Sequence, residues 1–102
     1  MWLLGLADDL LLLEGCPDDL VRRFPDLKRA ESSSRFREAV ALQPEQAVLQ
    51  KLDLIYCTHW AIVEARLQGC LVRQAFPGLL ERRHALEWAI GAGEWDEVCL
   101  DT

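Results

Sequence analysis

The sequence predicts an all-α fold: a compact bundle of about four to six helices around a long central helix, about residues 44–68, with an irregular C-terminal tail packed back on it. Three observations carry this. Apolar residues recur three and four positions apart, as at Trp2, Leu3, Leu6, Leu10 and Leu13. The stretch PEQAVLQKLDLIYCTHWAIVEARLQG opens on Pro44 and closes on Gly69, the two residues best suited to start and stop one long helix. Strand-like alternation never persists, and neither repeat nor linker divides the chain, so a single domain over 1–102 is expected.

Taken in order, the first apolar stripe predicts a helix from Trp2 to near Gly15. Its abrupt start has two explanations: a chain trimmed at its N-terminus, or an apolar face that docks directly onto the rest. Pro17 and Pro25 sit where proline suits a first helical turn and predict short pieces over about 17–23 and 25–31. Ser32, Ser33 and Ser34 break the pattern and can cap a helix over about 34–42, with Phe36, Val40 and Leu42 inward. The central helix follows, at roughly 37 Å the spine of the fold. After the loop CLVRQAFPG a last helix is expected over about 78–90, and Gly91 and Gly93 turn the chain into the tail EWDEVCLDT.

Composition narrows the function classes. At 102 residues, 51% hydrophobic and 27% charged, the chain is ordinary for a folded protein rather than a disordered one. A domain this short buries only about 65% of the surface of its unfolded chain, which leaves a second copy or another partner an open expectation. The net charge of −6 argues against nucleic acid, whose phosphates call for a basic field. Residues 22–37 nevertheless hold six basic and two acidic side chains, a local +4 against −10 elsewhere, a dipole able to steer a charged protein partner. No apolar run is long enough for a membrane span, and acids stand where a signal peptide needs basic residues, so the expected compartment is the cytoplasm. Cys16, Cys57, Cys70 and Cys99 form no C-x-x-C pair and are expected to be mostly buried small hydrophobes. No metal and no cofactor is assigned, although Cys57-x-His59 offers two ligand types.

Helical projection then places charges among apolar residues. On the central helix, His59 falls inside an arc that includes Val48, Leu52, Ile55 and Ile62, with Arg66 one heptad on and Asp53, Trp60 and Glu64 at its edge. On the last helix, Leu79, Leu86 and Ile90 form one stripe and Leu80, His84 and Trp88 another, so Glu81 and Arg82 become candidates for burial. A buried charge has to be paired or hydrogen-bonded. The expectation is a polar network of Asp53, Tyr56, His59, Glu64, Glu81, Arg82, Asp96 and Asp101 joining spine, last helix and tail, with Trp60, Trp88 and Trp95 excluding water around it.

Three blocks, DLIYCTHWAIVEARLQG, LLERRHALEWAIG and EWDEVCLDT, make residues about 51–102 resemble the bacterial family called domain of unknown function 4272. The resemblance marks Asp53, Tyr56, His59, Trp60, Glu81, Arg82, Ala85, Leu86, Trp88, Trp95, Asp96, Asp101 and Thr102 as signature positions. It also marks departures: Cys57 stands where arginine is usual, Arg83 and His84 stand in an order often reversed, and Glu87 replaces asparagine. It implies a helical fold and no particular activity.

Two classes of function follow. The first is a non-enzymatic protein-interaction or structural module, for which an immunity or antitoxin-like role fits a small acidic chain. The second is a small hydrolase, or an anionic-ligand-binding protein, built on the same cluster; its catalytic candidates are His59, Glu81, His84 and Asp96. No nucleophile motif or phosphate loop supports catalysis, and Glu81-Arg-Arg-His84 lacks the second copy that a di-iron bundle requires.

Overall fold

The computed structural model describes residues 1–10, 14–73 and 76–101, and it is all-α. Three α-helices, α1 (Ser34–Ala39), α2 (Glu45–Leu67) and α3 (Leu79–Ile90), are joined by 3₁₀ turns at Trp2–Leu4, Asp18–Arg23, Leu27–Arg29 and Trp95–Glu97. No strand occurs among the described residues.

The long central helix begins after Pro44, whose carbonyl accepts from the Ala47 and Val48 amides. It ends where Gly69 turns left-handed at φ 72°, letting the Cys70 amide reach back to the Ala65 carbonyl at 2.8 Å. Such a turn satisfies carbonyls that the helix itself leaves unpaired. α3 starts at another left-handed glycine, Gly78, and packs antiparallel on α2. Between them Val48, Leu52, Ile55, Leu79 and Leu86 form the core, and Trp2 completes it from the N-terminal segment.

Among the described residues of the N-terminal segment, a single 3₁₀ turn stands in place of the predicted helix. The cause is Gly5: at φ 69° it ends the turn, and a β-carbon there would collide with the Ala41 carbonyl oxygen. The chain then runs beside residues 41–43, where the Ala41 and Gln43 amides donate to the Leu4 and Leu3 carbonyls, each at 3.0 Å. Trp2 and Leu6 are thereby buried, so the apolar start does dock directly onto the rest. Leu13, the last residue of the expected stripe, lies outside the described residues.

The two proline-initiated pieces are 3₁₀ rather than α, and the serine-capped helix stops at Ala39, where Val40 adopts an extended conformation leading to the N-terminal segment. Phe24 stacks on Phe36 at 5.5 Å, yet no residue between 14 and 40 enters the core, and Val21 and Leu27 remain in water. The radius of gyration is 16.0 Å, above the roughly 13 Å of a compact chain of this length, and the long dimension is 51 Å. The arrangement is extended, with one core built from α2, α3 and the N-terminus.

Candidate functional site

α3 carries Leu79, Leu86 and Ile90 on one stripe, Arg82 and Arg83 flank that stripe on its two sides, and the side turned toward α2 and His59 is that of Arg83. Its side chain therefore enters the core, where 2% of it is exposed; it is the one buried charged residue among those described. The helical projection points instead to Glu81 and Arg82 for burial. Glu81 is exposed, and Arg82, half-buried, donates to the Pro77 carbonyl and, at 2.8 Å, to the Glu14 carbonyl.

Arg83 is held by both long helices and by the tail. Its Nε donates to Glu87 Oε1 at 3.2 Å, one turn along α3. One Nη reaches His59 Nδ1 on α2 at 2.7 Å and the Leu100 carbonyl in the tail at 3.0 Å. The guanidinium also lies 4.6 Å from the centre of the Tyr56 ring, a cation–π contact. One cation thus fastens spine, last helix and tail, and no buried side-chain donor or acceptor lacks a partner among the described residues.

This arrangement fixes the tautomer of His59. Arginine only donates, so Nδ1 must accept and the ring's single proton sits on Nε2. Burial, and then the positive charges of Arg83 and Arg66, hold the His59 pKa below the ordinary histidine value. The imidazole is accordingly neutral at pH 7. Beside it opens a cleft of ≈ 320 Å³ with apolar walls from Ile62, Val72, Phe76 and Leu79, bordered by His59, Arg66 and Glu81.

The remaining expected network members lie elsewhere. Asp53, Asp96 and Asp101 are exposed, so the tail joins the clamp through a backbone carbonyl and not through a carboxylate. Glu64 accepts at 2.6 Å from Gln68, the residue that follows the end of its own helix. Of the catalytic candidates, His59 and Glu81 border the same cleft, whereas His84 turns to the other side of α3. There its Nε2–H donates to the Trp95 carbonyl at 2.8 Å while its ring stacks on the Trp95 indole at 4.2 Å. Trp88 meets Trp95 edge-on at 5.6 Å, so these two tryptophans staple the tail to α3 rather than seal the arginine. Trp60 is exposed on the outer side of α2.

The four cysteines are all exposed, contrary to the expectation of burial. Cys57 and His59 stand about 200° apart around α2, too far to share a metal, and among the described residues no three His, Cys, Asp or Glu side chains converge on a metal position. No helix among them is long and apolar enough to cross a membrane.

The family model described as Domain of unknown function (DUF4272) matches residues 1–98, which takes in the N-terminal half as well as the blocks that carried the resemblance. No curated protein and no solved structure matches the chain. With almost the whole length covered, the chain belongs to the DUF4272 family.

Proposed function

We propose that this chain is a non-enzymatic protein-interaction module, in which the Arg83 clamp rigidifies the α2–α3 pair and the outer face of α2 meets a partner. One observation carries the proposal: Leu49, Tyr56, Trp60 and Leu67 stand in water along α2 although the protein has a core able to take apolar side chains. Contiguous exposed apolar surface of this kind marks interaction sites in folded proteins. The clamp supports it from the other direction, because Nε and one Nη of Arg83, and Nδ1 of His59, are already committed to bonds within the protein. An immunity or antitoxin-like role in the cytoplasm agrees with the acidic surface, and a reducing compartment suits four exposed thiols.

The test is affinity capture from the source cell with wild-type protein and with Trp60→Glu. A stoichiometric partner, of this or another sequence, should be retained by the first and lost by the second. Retention that ignores the substitution, or none at all, contradicts the proposal.

The cleft beside His59 favours a second reading. A fixed Nε2–H and the Arg66 guanidinium at the rim of an apolar hollow suit a small carboxylate with an apolar body. Titration with phenylbutyrate and with its neutral amide tests it: binding of the acid alone, weakened by Arg66→Gln, supports this reading, and equal or absent binding of both removes it.

A further inference from the structure

Of the large exposed apolar residues of α2, Leu54 stands apart, and the others, Leu49, Tyr56, Trp60 and Leu67, share one side of the helix. Leu49, Asp53, Tyr56, Trp60, Val63 and Leu67 follow one another at intervals of four, three, four, three and four. At about 100° per residue all six fall within roughly 40° of one line along the helix. The core side chains Val48, Leu52 and Ile55 lie around the helix from it, against α3 and Trp2. The line is long, about 27 Å at 1.5 Å per residue, and Leu49, Tyr56, Trp60 and Leu67 on it are 44%, 42%, 53% and 79% exposed. A seam with this period is matched by another helix carrying the same period, and α2 itself is such a helix.

Resting on the interaction reading above, we infer that the partner of α2 is α2 of a second copy, paired antiparallel in the register that sets Leu49 opposite Leu67. Charge decides the direction. A parallel pair in register places Asp53 against Asp53, like charges across an apolar seam, whereas the antiparallel register places Asp53 against Val63 and the two helix dipoles head to tail. Area is sufficient. An aromatic side chain carries roughly 150–250 Å², so the four exposed side chains of one copy leave on the order of 450 Å² in water. Two copies bring about 900 Å² together before flanking residues are counted, and those carry the total past the roughly 1,000 Å² of a specific interface. Each copy contributes its α2–α3 pair, and the product is a four-helix arrangement with the two α2 helices at its centre.

The register makes a geometric statement that a different occupant does not make. Cys57 flanks the seam near its midpoint, so the dyad brings the two Cys57 side chains to one side of the interface; a parallel pair sends them to opposite sides. Sedimentation velocity on the full chain over the micromolar range should show a monomer–dimer equilibrium. Trp60→Glu, and independently Leu67→Lys, should raise its dissociation constant at least about 100-fold while the far-ultraviolet circular dichroism stays that of the wild type. In a chain carrying Cys16→Ser, Cys70→Ser and Cys99→Ser, diamide accepts two electrons and two protons from a Cys57 pair, and a covalent dimer should form that Trp60→Glu abolishes. A chain that stays monomeric, or a dimer that gives no Cys57 cross-link or ignores both substitutions, overturns the inference. Should the monomer still capture another protein through Trp60, only the homotypic partner is refuted and the interaction reading stands.

Discussion

Replacing Arg83 with methionine, which keeps much of the volume and removes the charge, should be among the most destabilising single substitutions in the chain. It would strand three groups at once: the Glu87 carboxylate, His59 Nδ1 and the Leu100 carbonyl. Removing one partner of a buried ion pair costs about 3–5 kcal/mol. The Glu87 side chain is 29% exposed and partly rehydrates, so the lower end, about 3 kcal/mol, applies. With a urea m-value of about 1 kcal/mol/M for a chain of this size, the midpoint should fall by about 3 M. Arg82→Met is the internal control: it loses bonds to two backbone carbonyls at a half-buried site and should cost only about 1 kcal/mol. A double-mutant cycle of Arg83→Met with Glu87→Met should show coupling of about 1–2 kcal/mol, since the second change removes the orphaned charge. If Arg83→Met and Arg82→Met shift the midpoint equally, Arg83 is not the clamp described above.

His59 gives the fold a pH dependence of definite sign. Its folded pKa lies below its unfolded value of about 6.5, so in acid the unfolded chain takes up a proton that the folded one refuses. Its contribution is complete above that value and is lost as pH falls below it; urea midpoints from pH 7.5 to 5 should decline in the wild type and decline less in His59→Gln, which keeps an acceptor for Arg83. Gly5→Ala combines a left-handed backbone with a collision at the Ala41 carbonyl and should cost more than about 2 kcal/mol by thermal melting. Gly69→Ala shares the backbone conformation but meets nothing within 4 Å, and about 1 kcal/mol is expected. Asp96→Asn, at an exposed carboxylate, should leave stability within about 0.5 kcal/mol of wild type; a larger loss would return Asp96 to the clamp.

The central and last helices were legible in the sequence because their limits are set by local chemistry: Pro44, Gly69, Gly78 and Gly91 mark both within a residue or two. The N-terminal helix was not, since its periodicity is real but its conformation is decided by a long-range contact between Gly5 and Ala41. The site divides in the same way. His59 on the inner face of α2 followed from the projection, and the link from spine to last helix to tail exists, but the arginine at its centre is Arg83. Spacing alone does not separate the two arginines, since Arg82 stands three residues after Leu79 and four before Leu86 and Arg83 four and three. The third partner of Arg83 is the Leu100 carbonyl, a backbone group that no side-chain pattern announces.

The arginine–histidine contact is open to direct observation by nitrogen-15 NMR of the imidazole at pH 7. Long-range proton–nitrogen correlations report which ring nitrogen of His59 carries hydrogen. A bare Nδ1, a protonated Nε2 and slowly exchanging Arg83 guanidinium protons are predicted. Hydrogen on Nδ1, in either the neutral or the cationic ring, would mean that Arg83 does not donate there.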